Sequence, residues 1–468
     1  MIIFRKDTLL TAILQILIIF ISFMVTCPFA YAAFTIEDEK KVGKEFYDKL
    51  EENDVIVKDV KVNKYINNIG QLIVSKANNV PFDFTFSVIN SSAINAFATP
   101  GGYVYLHRGL INLTENESQL AGVLAHEIAH VNSRHIADMI KKSQKVNIAA
   151  LAAMLAGAFL GGGGEGTAAV MGFSLATATH LNLKYSRQHE EEADRLGASY
   201  LMKAGYDVGA TLDFLRIMRR YEFYSNSVPS YFLTHPETDA RIRYLDGLLQ
   251  TTYKLKGRES IFHSYRKIKI SMMLDGDNLN AALKHFQDET EINPRDSDAL
   301  YGLALTQFKL GFINESLTTF QKAYEVAPND EDILRELGKC YIKAGQTSQA
   351  IAHLIKAIQI NPEDADSLFN LGKAYAAAGN YAAALDKYKQ AEIQDKGNDE
   401  IYYNLAVAYG KTNETGLSHY YFGIYFKKKD RRQSAIFHFQ EALKFLSQDA
   451  QKSQDIQEEL KSLRKKTR

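Results

Sequence analysis

The feature that most restricts how this chain can fold is a repeat in its C-terminal half. Pro294, Pro328 and Pro362 are each separated by 34 residues. In the same register sit Leu303-Ala304, Leu337-Gly338, Leu371-Gly372 and Leu405-Ala406, and beside them Gly311, Gly345 and Gly379. Ala323, Ala357 and Ala391 keep the period, and Phe286, Phe320, Leu354, Tyr388 and Phe422 mark one large apolar position. Small residues at fixed places let two helices approach closely, and the proline ends each pair. A period of this size means stacked units, none of which buries its apolar face alone.

The pattern resembles the tetratricopeptide repeat, a helix pair of the same length. It implies an all-α solenoid over residues 256–468, with a concave face from 260 to about 425 that holds a peptide or a partner surface. The proline is lost at Lys396, so the last unit reads as degraded. Ser434 to Lys466 reads as a capping helix or a basic tail.

With 46% hydrophobic and 24% charged residues the chain is of ordinary globular composition. Lys plus Arg and Asp plus Glu are both 55, which removes the basic footprint expected of a nucleic-acid binder. Cys27 and Cys340 are the two cysteines, too few for a disulfide framework, so any metal site has to come from histidine and carboxylate. Residues 1–32 read as an export signal: Arg5 and Lys6, an uncharged apolar run from Leu9 to Val25, then Ala30-Tyr31-Ala32 as a cleavage pattern. The alternative is an uncleaved anchor, because the run approaches the length that spans a bilayer. Both readings put the bulk of the chain outside the cytoplasm.

Ahead of the repeats, apolar residues from Asp38 to Ala77 recur at helical spacing, as Val42, Phe46 and Leu50, then Val62, Ile66, Ile69 and Ile73. Phe82 to Ile89 alternates in period two. Ala96-Phe97-Ala98, the turn Pro100-Gly101-Gly102, and Tyr103-Val104-Tyr105-Leu106 read as strand, tight turn and strand. The segment Tyr103, Val104, Tyr105 is the expected edge for an extended substrate. One helix is expected from Glu117 to Ser143. Between Lys145 and Lys184 the only acidic or basic residue is Glu165, in two apolar halves that each fall short of a span. They read as buried or groove-lining helices, with contact at a membrane surface as the sharper alternative.

His126-Glu127-Ile128-Ala129-His130 lies inside the helix that starts at Glu117. Residues four apart share a helix face, so both imidazoles can bind one ion while Glu127 reaches the same site as a general base. The competing reading is a polar helix face with two ordinary histidines. A third histidine at position 136 with glycine at 133 would mark one large metallopeptidase class, but Ile136 and Ser133 stand there. A carboxylate on a second helix serves instead. Glu190 and Asp194 are four apart on one face, so Glu190 can bind the ion while Asp194 accepts a hydrogen bond from a ligand histidine. Glu191 reads as part of a solvated acidic face.

Taken together, Asn95-Ala96-Phe97-Ala98 with Pro100-Gly101-Gly102, the pentapeptide from His126, Glu190 with Ala193-Asp194, and Thr234-His235-Pro236 with Arg241 resemble one zinc metallopeptidase family. It contains the membrane heat-shock protease HtpX and the CAAX prenyl endopeptidase. The resemblance covers roughly residues 38 to 250. It implies an α+β gluzincin-type domain over 33–255, and one Zn2+ per chain held by His126, His130 and Glu190. It makes His235 a donor to the oxyanion, supported by Arg241. The signal and the trailing repeats imply a periplasmic endopeptidase for exported or outer-membrane proteins, its repeats docking substrate or an outer-membrane assembly complex. An envelope chaperone or scaffold with a latent zinc site is the rival, which the presence of Glu127 disfavours. His235 is also expected to be able to latch the site shut.

Overall fold

The computed structural model describes residues 34–465 apart from 143–154, 156–183, 226–228, 237, 254–255 and 277. The expected export signal and the apolar stretch 146–183, Leu155 aside, lie outside the described residues. No helix among the described residues is long and apolar enough to cross a membrane. The described residues form two compact units that part between Tyr265 and Arg266.

In the first unit, helix α1 (Ile36–Glu52) opens on a reciprocal cap in which Thr35 and Asp38 each accept the other's backbone amide. Its apolar stripe of Val42, Phe46 and Leu50 is fully buried. Helix α2 (Val60–Val74), capped by Asp59, buries Val62, Ile66, Ile69 and Ile73. Three strands follow, β1 (Thr85–Ile89), β2 (Ala96–Thr99) and β3 (Tyr103–His107), in the order β1-β3-β2. This order corrects one expectation. Tyr103, Val104 and Tyr105 lie on the middle strand, parallel to Thr85, Phe86 and Ser87 on one side and antiparallel to Thr99, Ala98 and Phe97 on the other. Alternation identifies a strand but not its neighbours, and β1 comes from the preceding segment to cover the side that the hairpin leaves open.

The outer side of β1 is bonded in turn by Val55 and Val57, through Val57 N to Val88 O at 2.8 Å and Asn90 N to Val55 O at 2.9 Å. Among the described residues the edge that remains is β2. His107 donates its amide to the Asn95 carbonyl at 2.9 Å. Alternation along an antiparallel ladder therefore turns the amides and carbonyls of Ala96 and Ala98 outward.

After a short helix α3 (Arg108–Leu113), helix α4 (Glu117–Asn132) runs through the centre of the unit, buried at every position from Glu117 to Val131. Asn116 caps its start, accepting the Gln119 amide. The helix stops at Ser133, and Arg134 takes a left-handed conformation with φ 55 before α5 (His135–Lys142) begins. The single helix expected from Glu117 to Ser143 is therefore two. The break carries the Arg134 side chain to the buried Glu39, with Nε 2.6 Å from Oε1. Helix α6 (Arg187–Ala204), capped by Ser186, packs along α4. Gly197 permits the approach: a Cβ there would meet the Ala125 carbonyl at 3.1 Å and the His126 nitrogen at 3.2 Å. Helices α7 (Gly209–Ser225), α8 (Ser230–Thr234) and α9 (Thr238–Thr251) complete the unit.

The second unit is helical throughout its described residues. After α10 (Leu279–Ile292) its pairs are α11 (Ser297–Lys309) with α12 (Ile313–Val326), α13 (Glu331–Lys343) with α14 (Thr347–Ile360), α15 (Ala365–Ala377) with α16 (Tyr381–Gln394), and α17 (Asp399–Lys411) with α18 (Thr415–Lys428). The 34-residue register carries chemistry beyond the apolar pattern. Asp296, Asp330, Asp364 and Asn398 all cap helices with their side chains. Gly311, Gly345 and Gly379 take φ 85, 73 and 78, and Asn413 holds the same register at φ 61. Asparagine tolerates the left-handed region better than most residues, which is how the period survives there. Helix α18 completes the last of these pairs, so the array does not degrade at Lys396. The segment expected as one cap or tail is two helices, α19 (Arg432–Leu446) and α20 (Ala450–Lys465), that bury Phe439 against Ile456 and Leu460.

Candidate metal centre

Helix α4 offers His126 and His130 from one face, α6 offers Glu190, and the turn after α8 offers His235. One ligand atom from each lies within 4.8 Å of the others, and all four residues are buried. His126 Nε2 is 3.0 Å from His130 Nε2, 3.4 Å from Glu190 Oε2 and 3.3 Å from His235 Nδ1. His130 Nε2 is 3.5 Å from Glu190 Oε1, and His235 Nδ1 is 3.0 Å from the same oxygen. Ligands about 2.0–2.1 Å from a tetrahedral zinc stand about 3.3 Å from one another. Five of the six donor pairs stand 3.0–3.5 Å apart, counting both Glu190 oxygens, near that edge length, so the donor set suits a small cation.

The outer groups orient these donors. Asp194 Oδ1 is 2.9 Å from His126 Nδ1. Arg241 forks onto Asp194, with Nε to Oδ2 at 2.9 Å and Nη2 to Oδ1 at 2.8 Å, and its Nη1 is 2.9 Å from Glu190 Oε2. Arg241, expected to support His235, lies on the two carboxylates. Such a fork is among the stronger and more directional ion pairs. Burial raises the proton affinity of Glu190, but the charges of Arg241 and His235 outweigh it and hold the carboxyl well below its ordinary range. Burial and Arg241 disfavour a charge on His126, yet its bonds to Asp194 and Glu190 carry its pKa up to about 9. Burial, with His126 beside it, pushes His130 the other way.

Glu127 is fully buried, and neither of its oxygens has a hydrogen-bond partner among the described residues. The His235 ring stands beside it, with Nε2 3.4 Å from Oε1. Burial raises its pKa above the usual carboxylate value. A buried carboxylate left bare costs stability and persists where chemistry needs it.

His235 sits between two helices, stacked on Tyr231 at 4.4 Å. Its backbone amide bonds the Tyr231 carbonyl at 2.9 Å. Tyr185, which the sequence did not single out, stacks on the His130 ring at 3.8 Å and donates its amide to the Thr234 carbonyl at 3.1 Å. A lone tyrosine at the end of an apolar stretch carries no periodic or motif signal. His135 is the other residue missed, with Nδ1 2.8 Å from His130 Nδ1. Glu191, read as solvated, pairs with Arg187 at 2.9 Å on the exposed face.

Residues 61–249 match the profile of peptidase family M48. Residues 338–379 match a TPR repeat and 367–400 a tetratricopeptide repeat. The beta-barrel assembly-enhancing protease of Escherichia coli (strain K12) is 36% identical over 217 residues, 46% of this chain and 44% of that protein. The mitochondrial metalloendopeptidase OMA1 of Schizosaccharomyces pombe is 28% identical over 199 residues, 42% of this chain and 56% of that protein. The chain spans about half the length of the curated relatives it matches.

Proposed function

We propose, from the match of residues 61–249 to peptidase family M48, a zinc-dependent endopeptidase of the periplasm that cleaves misfolded or unassembled exported or outer-membrane proteins. The observation that carries the reading is a buried nest of four donors beside a buried carboxylate that has no hydrogen bond among the described residues. In this reading His126, His130 and Glu190 hold one zinc ion. The chemistry the ion supplies is Lewis acidity, which brings the pKa of a water toward neutrality and polarises a carbonyl.

Glu127, raised in proton affinity and without a hydrogen bond among the described residues, takes the proton from the attacking water and passes it to the leaving amine. Arg241 and Asp194 hold the ligand carboxylate and imidazole in place. An extended substrate pairs with the outward amides and carbonyls of Ala96 and Ala98 on β2, so backbone rather than side chains is read. That selects unfolded chains. The repeats dock the substrate or the outer-membrane assembly complex that presents it, as stacked helix pairs are suited to do.

Cleavage of unfolded casein tests the proposal. It should be lost on chelation, restored by zinc, and reduced about 10²–10⁴-fold in Glu127→Gln, the size of a general-base contribution. A zinc-loaded wild type that does not cleave casein would leave the chaperone or scaffold with a latent zinc site as the better account, and a Glu127→Gln protein that cleaves at the wild-type rate would remove Glu127 as the general base.

His235 supports a second element of the same reading. Its Nδ1 lies 3.0 and 3.3 Å from two ligand atoms of the nest, at the distance of a fourth ligand. A zinc closed by a fourth protein ligand is an inactive one. Substrate docking would then move the turn that carries His235, a two-state change biased by binding. His235→Ala should show raised basal proteolysis or self-cleavage if the latch dominates, and a slower rate without activation if oxyanion donation dominates. Unchanged activity would remove both roles.

A further inference from the structure

We propose that His135 is a positioning residue for the metal centre, fixing the ring and the tautomer of His130 by a hydrogen bond to the nitrogen that faces away from the nest. The inference rests on the reading of His130 as a metal ligand. Five residues along an unbroken helix would turn a side chain about 140° from His130, out of its reach. The left-handed Arg134 breaks the helix at the one place that brings residue 135 back. His135 is buried, and its Nδ1 is 2.8 Å from His130 Nδ1.

The direction of the bond follows from the far end of the chain of contacts. His135 Nε2 lies 3.4 Å from Glu192 Oε2, and the hydroxyl of Ser133 approaches the other Glu192 oxygen at 3.3 Å. An ionised carboxylate only accepts, so His135 carries its proton on Nε2. Its Nδ1 is then a lone pair, and His130 must donate from Nδ1. A neutral imidazole has one proton, so the His130 Nε2 lone pair is left facing His126, Glu190 and the nest. Asp194 does the same for His126 directly, at 2.9 Å. The two ligand histidines are therefore set by two carboxylates, one in contact and one relayed through a second imidazole. His189 stacks on the His135 ring at 4.4 Å, and its Nε2 is held 3.1 Å from Asp138 Oδ2, so the relaying ring is clamped face-on.

Outer partners of a ligand histidine are worth about 10–100-fold in metal affinity. Zinc retention against a chelator of known affinity should fall by about that factor in His135→Ala. Asparagine places its carbonyl oxygen where histidine has Nδ1, so His135→Asn should recover most of the loss, which a merely space-filling role would not predict. Nitrogen NMR of His130 in the metal-free protein gives a second readout that needs no ion and no activity. The proton should reside on Nδ1 in the wild type and in His135→Asn, and be shared between the two nitrogens in His135→Ala. A wild-type His130 protonated on Nε2, or an alanine variant that retains zinc like the wild type, would overturn the proposal. A wild type with the expected tautomer but no zinc affinity would instead count against the metal-site reading on which it rests.

Discussion

Each unit of this protein buries a charged residue at its centre, and the two are treated in opposite ways. Arg335, in the repeat unit, is 4% exposed and meets Asp332 at 2.8 Å, Glu336 at 3.0 Å, Asp366 at 3.2 Å and Asp364 at 3.4 Å. Glu127, in the peptidase unit, is fully buried with no hydrogen bond to either oxygen among the described residues. Saturated charge ties helices together, here α13 to the start of α15. Bare charge does nothing for the fold and is kept for what it can take up. The two residues separate structural burial of charge from functional burial within a single chain.

Breaking the saturated cluster should give the larger effect. Arg335→Ala removes the cation that all four carboxylates share, leaving Lys339 on Glu336 and Asp366 and Lys267 on Asp332, and loss of one partner from a buried ion pair costs about 3–5 kcal/mol. Urea unfolding of the repeat unit should shift by that amount. Glu127→Gln should move the other way. Burial raises the pKa of Glu127, so its ionised form opposes folding at neutral pH, and a neutral amide of the same shape removes that opposition. The metal-free Glu127→Gln protein should be at least as stable as the wild type. If both variants lose stability equally, the contrast between the two sites is wrong.

Glu117 sharpens the same comparison inside the peptidase unit, because it is a buried carboxylate treated as Arg335 is. It opens α4 and accepts from Tyr65 and Tyr206 hydroxyls at 2.8 Å, the Ser260 hydroxyl at 2.7 Å and the amides of Ile261 at 2.8 Å and Phe262 at 3.1 Å. Burial pushes its pKa up, but the bonds from Ile261, Ser260 and Phe262 outweigh it and the folded value is lowered. A lowered folded pKa contributes stability that is present above the unfolded value, about 4.3, and is lost as pH falls through the folded value. Glu117→Gln should lose about 1.5–3 kcal/mol at pH 7, as expected for hydrogen bonds to a charged group. The gap to the wild type should close as the pH is taken below 4. A constant gap from pH 7 to pH 3 would mean that shape, not charge, is what Glu117 supplies.

The units also differ in how much of them can be read before folding. A period is a local signal, and in the repeats every contact recurs at a fixed offset, so the large position at Phe320, Leu354 and Tyr388 is legible as core without knowing the fold. In the peptidase unit, the meeting of His126 with His130 was legible because a helix places residues four apart on one face. The neighbours of β3 were not, because pairing depends on which distant segment arrives. Nor was the break at Arg134, whose side chain pairs with Glu39, 95 residues upstream. Tyr185 reaches His130 only because its amide is tied to Thr234, again across a gap that no periodicity spans.

The smallest test asks whether the repeat register persists where its most visible mark is gone. Position 396 is Lys where the register has Pro294, Pro328 and Pro362. The residues before those prolines, Asn293, Ala327 and Asn361, have φ/ψ of −132/87, −132/74 and −131/90, and Asp395 has −139/86. The backbone ahead of Lys396 is thus already in the extended region that a following proline requires. No hydrogen bond from the Lys396 amide occurs among those of the described residues, and the Lys396 carbonyl, which accepts from Tyr402 at 3.3 Å, would be retained by proline. Proline at a compatible position stabilises by about 0.4–1 kcal/mol, chiefly by restricting the unfolded chain. For a unit of this size that corresponds to a rise in Tm of roughly 1–4 °C. Lys396→Pro should therefore raise the melting temperature of the repeat unit by a few degrees at most and leave its helical signal unchanged. A fall would show that the fourth turn has left the register, and that the caps at Asn398 and Asn413 hold a different conformation from the three before them.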